Sequence, residues 1–337
     1  MSTRALVFYN SRGSVQSRRL LRSIEQRVDQ LDLDLSGLEV VTEAATGSYS
    51  ATAIIAALSG GKVHASARDT RKYGTAAEAI AVTRELARLA GVSSRISFSE
   101  GVPQRALRSC DILTNSGRIR PIDRGMVDLL PSKAVIALMF EAWEFRETDL
   151  DRAACDLRGI RIAAVNERHP DVAVFPFLGQ LCVRQLRDAG MAVAGLRVAI
   201  LCDNPFADFL RQGLIDAGAE PTLIARPSDL TEHQWDAVIV ALLPREHPLD
   251  RSELAVIADR APHALLVQFW GDIDHDAAAQ LGISVHPPEP PDRGHMGILL
   301  SRLGHEPIVR LQAGSLKAAE IILRNGPQPS DGIASLL

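Results

Sequence analysis

Residues 38–69, LEVVTEAATGSYSATAIIAALSGGKVHASARD, decide how this chain is read. The first six, LEVVTE, are apolar and β-branched, the pattern of a buried strand. A turn of small residues plus Tyr49 follows over 44–50. Residues 51–58, ATAIIAAL, predict an apolar helix, stopped by Gly60 and Gly61. Residues 62–67, KVHASA, predict a second strand, and Asp69 stands just beyond it, 69 − 47 = 22 residues past Gly47. In dinucleotide-binding βαβ units an acidic residue about 20 positions past the turn accepts hydrogen bonds from the adenosine ribose. The layout is present, but the turn lacks the G-x-G-x-x-G fingerprint.

Working outward, the chain alternates strand and helix in both directions. Residues 5–9 read as a strand and 14–31 as an amphipathic helix carrying Leu20, Ile24, Val28 and Leu31 on one stripe. Beyond Asp69, helices are expected over 75–90, 105–109, 123–130 and 149–158, and strands over 95–99, 111–115, 134–140 and 160–165. A helix over 174–189 connects to a second run. There, strands fall near 197–202, 220–225, 237–242, 264–269 and 283–286, with helices between them and closing helices over 294–304 and 313–324. Strands alternating with helices build parallel sheets with helices on both faces. The expected fold class is therefore α/β, with two Rossmann-like doubly wound parallel-sheet domains around a cleft. The domains are placed at 1–190 and 191–325, followed by a mobile tail at 326–337.

In open α/β sheets, ligands bind beyond the carboxyl ends of the strands. The turn after the first βαβ strand brings Thr46, Gly47, Ser48 and Tyr49 close to a helix start, which suits a phosphate. Asp69 favours the unphosphorylated ribose of NAD, whereas Arg68 and Arg71 beside it suit the 2′-phosphate of NADP; both cofactors stay open. Asn115 ends a strand where a nicotinamide ribose would pass. Three successive strand ends then carry ionisable side chains. Arg118, Arg120 and Arg146 are candidate anchors for a substrate carboxylate. His169 is a candidate proton carrier oriented by Glu167 or Glu141. In the second half, Gly294 and Gly297 flank His295 at an expected helix start that would suit a diphosphate. Asp272, Asp274, His275 and Asp276 lie close in sequence, but Asp274 and Asp276 fit an acidic first helical turn, and no metal site is assigned.

Composition bounds the function. Net charge is −4 and aromatic residues make up 4% of the chain, which argues against a nucleic-acid partner. The longest apolar stretch, 134–140, is far below membrane-spanning length. Cys110, Cys155, Cys182 and Cys202 show no C-x-x-C spacing, so neither a zinc knuckle nor a redox dithiol is expected. A cytoplasmic protein follows, and its apolar helix faces would suit a homodimer.

Residues 111–159, DILTNSGRIRPIDRGMVDLLPSKAVIALMFEAWEFRETDLDRAACDLRG, resemble the D-2-hydroxyacid dehydrogenases of the NAD(P)-binding Rossmann superfamily. In that family an "ADI" strand, an acidic and apolar helix, a "VI" strand and a "DLDAA…GI" helix follow in the same order. The ornithine cyclodeaminase-like dehydrogenases are a second likeness. The resemblance implies the fold and a nicotinamide dinucleotide, and it assigns no catalytic residue. The expected function is an NAD(P)-dependent oxidoreductase acting on a small polar or carboxylate substrate. The alternatives are a transferase using a nucleotide-activated donor and a non-catalytic nucleotide-binding protein.

Overall fold

The computed structural model describes residues 3–231, 234–326 and 332–337, with side chains from residue 15 onward. In chain order the elements begin with α1 (Thr3–Gln30), β1 (Glu39–Glu43), α2 (Ala51–Leu58), β2 (Lys62–Ala67), α3 (Ala76–Leu89) and β3 (Ile96–Glu100). They continue with α4 (Gln104–Ser109), β4 (Ile112–Asn115), α5 (Arg124–Val127), β5 (Val135–Leu138), α6 (Arg152–Arg158) and β6 (Arg161–Val165). Next come α7 (Pro176–Asp188), β7 (Arg197–Cys202), α8 (Ala207–Asp216), β8 (Glu220–Ile224), β9 (Ala237–Ala241) and α9 (Arg251–Arg260). The chain closes with β10 (Leu265–Trp270), α10 (His275–Gln280), β11 (Val285–His286), α11 (Glu306–Asn325) and β12 (Ala334–Leu336).

The chain divides into two compact units, Met1–Ala173 with Gly304–Leu337, and Val174–Leu303. The division thus falls at Ala173 rather than at 190, and the last 34 residues (337 − 303) return to the first unit. The first unit holds a sheet in the order β3-β2-β1-β4-β5-β6-β12. Its strands are parallel except β12, which runs antiparallel to β6. The chain winds outward from β1 in one direction through β2 and β3, then returns to β4 and proceeds the other way. That reversal is the topological switch point at which doubly wound sheets bind ligands. The second unit holds a parallel sheet in the order β8-β7-β9-β10-β11, with its own reversal between β7 and β9.

Local chemistry explains the elements that shape the first unit. Thr75 and Glu78 form a reciprocal cap at the start of α3, each side chain accepting the other's backbone N–H. Asp151 caps α6, and Gly159 ends it with a left-handed φ of 66°. Residues Ala51–Ala57 of α2 are buried all round, because this helix packs against α1, α3 and α11 as well as the strands. That environment accounts for a helix whose sequence shows no polar face.

Three expectations need correction. Residues 5–9 belong to α1 and not to a strand, since five apolar residues carry too little period to separate the two. The tail does not stay loose: Ala334 pairs with Val165 and Leu336 with Ala163, covering the backbone edge that β6 would otherwise expose. The rest of that expected tail, 327–331, lies outside the described residues. No helix forms at 294–297, and only a 3-10 turn, Leu300–Leu303, occurs in the expected helix there. Among the described residues no helix is long and apolar enough to cross a membrane.

Within the second unit, α7 and α8 cross where Gly179 meets Gly213. A Cβ built on Gly179 would lie 2.5 Å from the Phe209 carbonyl oxygen, and one on Gly213 would lie 2.3 Å from the Gly179 Cα. Both distances are shorter than atoms tolerate, so either Gly179→Ala or Gly213→Ala must push the helices apart. The expected cost is about 1–3 kcal/mol, read as a lower urea midpoint. An unchanged midpoint in both variants would show that the two backbones do not meet.

Candidate functional site

The turn after β1 is built from backbone bonds. Ala44 donates its N–H to the Ser66 carbonyl, and the Thr83 hydroxyl both accepts from the Ala45 N–H and donates to the Ala45 carbonyl. These contacts fix the chain as it leaves the sheet. Thr46 is extended, Gly47 has a left-handed φ of 59°, and Gly47–Ser50 forms a 3-10 turn that runs straight into α2. The Ser50 hydroxyl donates to the Gly47 carbonyl at 2.7 Å. The first N–H groups of such a run have no partner within it. Gly47 is exposed, and nothing lies within 4 Å of where its Cβ would be, so the turn is open to solvent.

Asp69 follows β2 directly and is exposed. One carboxylate oxygen accepts the Ala76 N–H at 2.7 Å, tying Asp69 to the start of α3, and α3 packs against the 3-10 turn. Arg71 is exposed two residues further on, whereas Arg68 donates to the Arg118 and Arg120 carbonyls.

At the switch point, the register Val41↔Leu113 continues through Thr42 and Thr114, whose hydroxyls meet at 2.7 Å. The next pair in line is Glu43 and Asn115. Asn115 is fully buried, and neither its amide oxygen nor its nitrogen has a hydrogen-bond partner. Leaving both unsatisfied is costly. Glu43 accepts the Arg118 N–H at 2.9 Å. Burial raises its pKa against the opposing pull of that N–H and of the Arg120 and Arg118 charges.

The three arginines expected to hold a substrate anion are already engaged. The buried Arg118 guanidinium donates to the carbonyls of Arg68, Tyr73, Gly74 and Thr75. It is a staple for the loop beyond β2. Arg120 and Arg146 both reach Asp149 at 2.8 Å. Burial alone would raise the Asp149 carboxyl, but the two guanidinium charges outweigh it and hold the pKa below its ordinary value.

His169 also differs from expectation. Its Nδ1 accepts the Asp171 N–H at 3.2 Å and lies 3.7 Å from the Asp171 carboxylate, so among the described residues it is Asp171, and not Glu167 or Glu141, that contacts the ring. The glutamates form a cluster of their own beyond β5 and β6. Glu141 accepts the Glu167 N–H at 2.8 Å, the Trp143 indole N–H, and hydrogen bonds from Arg168. Low-dielectric surroundings push Glu144 up to about 7, with the Glu141 charge adding to the effect. Burial raises Glu167 well above the ordinary carboxyl value, reinforced by Glu144 and Glu141. Near neutral pH such carboxyls hold protons that ordinary carboxylates have lost, and can donate them. Glu43 and Glu144 were not among the expected site residues. The position of Glu43 as the last residue of β1 was the one available signal.

In the second unit, the segment bearing Gly294 and Gly297 lies against β10. Gly297 donates to the Phe269 carbonyl, and a Cβ there would meet the Gln268 oxygen at 1.8 Å. Gly297 permits this close backbone packing, and the segment does not open a helix for a diphosphate. Asp274 caps α10 by accepting the Ala277 N–H at 2.9 Å.

Two outcomes follow from this geometry. Arg118→Met removes the guanidinium from four carbonyls, of which Gly74 keeps the Thr70 N–H and Thr75 keeps the Ala79 N–H, and the expected loss is about 2–4 kcal/mol of unfolding free energy; an unchanged value would overturn the staple. The raised carboxyls make the folded state bind more protons than the unfolded chain between the ordinary value of 4.5 and about 7. Stability should therefore fall as pH rises through that window. The urea midpoint should be lower at pH 8 than at pH 5, and Glu144→Gln should flatten the difference. Equal slopes in the two proteins would remove Glu144 from this account.

No family model matches the chain, and no curated protein matches its sequence. Solved structures do match in fold. A dipicolinate synthase polypeptide from Bacillus halodurans aligns with a TM-score of 0.54 at 11% identity, covering 86% of this chain and 99% of that one. Its counterpart in the dipicolinate synthase of Bacillus subtilis aligns at 0.51 and 12%, covering 87% and 99%. An oxidoreductase from Ralstonia solanacearum, named as a D-3-phosphoglycerate dehydrogenase, aligns at 0.50 and 11%, covering 88% and 97%. In fold, this chain is similar to these three proteins.

Proposed function

We propose that the chain is an NAD(P)-dependent oxidoreductase acting on a small polar substrate. The observation that carries this reading is the position of Asp69. It lies at the carboxyl end of β2, next to β1, exposed and anchored to α3, which packs on the open turn after β1. An adenosine ribose needs an acceptor at that place. Thr46, Gly47, Ser48 and Tyr49 would flank the diphosphate, Arg71 would bear on the choice between NAD and NADP, and Asn115 would meet the nicotinamide ribose. The unpartnered amide of Asn115 fits a polar ligand group.

A bound nicotinamide dinucleotide would supply or accept the hydride. The chain's own part is to hold a proton for the substrate oxygen. Glu167, with Glu144 beside it and Glu141 fixing its backbone, suits that task better than His169. With Arg118, Arg120 and Arg146 engaged elsewhere, the polar substrate is favoured over the carboxylate. The same reading keeps a small molecule as partner, the cytoplasm as compartment and a homodimer as assembly. Free cysteines at Cys110, Cys155, Cys182 and Cys202 suit a reducing compartment.

Calorimetry and thermal unfolding with NAD, NADH, NADP and NADPH test the reading. A ligand at a hundred times its Kd stabilises by about 2.7 kcal/mol. Asp69→Ala should weaken NADH binding about tenfold while leaving the fold intact, the worth of a hydrogen bond to a charged group. Arg71→Ala should weaken NADP more than NAD. The reading falls if no nicotinamide dinucleotide binds, or if Asp69→Ala binds NADH as the parent does.

A further inference from the structure

The switch point of the first unit holds a buried carboxyl that stands apart from the cluster of Glu141, Glu144 and Glu167. Glu43 is the last residue of β1, is 4% exposed and directly precedes the turn that would flank the diphosphate. Its Oε2 accepts the Arg118 N–H at 2.9 Å, and among the described residues it has no other hydrogen bond. Arg118 belongs to the loop after β4, the strand paired with β1. This bond therefore runs from the end of one central strand to the loop beyond its neighbour, across the crevice where doubly wound sheets receive a ligand.

Asn115, in line with Glu43 on β4, points to a ligand at this place. It is fully buried, and its amide oxygen and nitrogen are both unpartnered. The hydroxyls before and after it do not serve it: Thr114 donates to Thr42 at 2.7 Å and meets Ser116 at 3.0 Å. An idle donor and an idle acceptor on one buried amide call for a polar partner. The charges facing Glu43 come from Arg118 and Arg120 in the loop after β4. Neither guanidinium is committed to it, since Arg118 serves the carbonyls of residues 68–75 and Arg120 reaches Asp149. On the other side, its partner on β2 is the neutral Ser66. A neutral carboxyl can donate its O–H to a ligand oxygen, whereas a carboxylate has no donor and repels an anion. Burial favours the neutral, donating form.

We propose that Glu43 is a proton gate for the dinucleotide: the ligand binds to the neutral carboxyl, and where Glu43 is ionised, binding takes up one proton. This gate rests on the dinucleotide reading. A diphosphate passing the end of β1 brings negative charge beside Glu43 in a buried crevice, and protonation removes the repulsion. The affinity is then set by pH. It is full where Glu43 already holds its proton and falls as pH rises through the Glu43 pKa, because each binding event must first restore that proton.

Calorimetric titration of the full chain with NADH between pH 6 and pH 9, at each pH in two buffers of different ionisation enthalpy, is the test. NADH is the probe because its diphosphate keeps one charge over that range. The parent's affinity should be level at the acid end and fall by up to about tenfold per pH unit at the alkaline end, where the two buffers should report proton uptake. Glu43→Gln keeps the size of the side chain and a donor at every pH, and should bind NADH without that fall. Glu43→Ala, which also cannot ionise, takes its place if the amide variant does not fold. NADH binding without proton uptake, or with the same pH profile in the parent and the folded variant, overturns the gate and leaves the dinucleotide reading intact. No NADH binding at any pH overturns both.

Discussion

The first unit depends on β1 being paired on both sides. β2 lies along one edge and β4 along the other, both parallel and in a fixed register. A shift of one residue would turn every side chain of β1 to the opposite face of the sheet. Val40 and Val41 would then exchange faces, the Thr42–Thr114 contact would break, and Glu43 would leave its place beside Asn115. The helices follow from this pairing. α2 has no polar face because it is closed in on every side, and the return of α11 to this unit completes that enclosure.

Charge is distributed around the strand ends by an uneven supply of donors. Glu141 collects hydrogen bonds from the Glu167 backbone, the Trp143 indole and Arg168. Asp149 collects two guanidinium groups. Glu43, with a single backbone donor, and Glu144 and Glu167, set against a neighbouring acid, are pushed toward their neutral forms. Burial pushes Glu43, Glu144 and Glu167 toward their neutral forms, and at Asp149 the two guanidinium groups outweigh the same push. Arg118 is assigned to structure, since it already serves four carbonyls and has little capacity left for a ligand.

Much of the fold was legible in the sequence. The helix 51–58 and the strand 62–67 appear with the expected bounds, and Asp69 stands where the spacing put it. Strand–helix alternation gave two parallel-sheet units, since each crossover between parallel strands needs a helix. Among the candidate residues, the position after a strand end was legible and the partner was not. Arg118, Arg120, Arg146 and His169 do follow strand ends, but their partners Tyr73, Gly74, Asp149 and Asp171 were invisible to local patterning.

By itself, then, the sequence determined the α/β class, the turn after β1 and the acidic residue after β2. These depend on hydrophobic period, small residues and short-range spacing, which act within one βαβ unit. The tertiary structure decided that 5–9 is helical, that β12 closes the edge of β6, that the carboxyl-terminal segment rejoins the first unit, and which ionisable groups are free. Each of these depends on contacts between residues far apart in the chain. A carboxyl's proton affinity or a guanidinium's availability is fixed by the donors and acceptors brought around it, and only the folded chain supplies those.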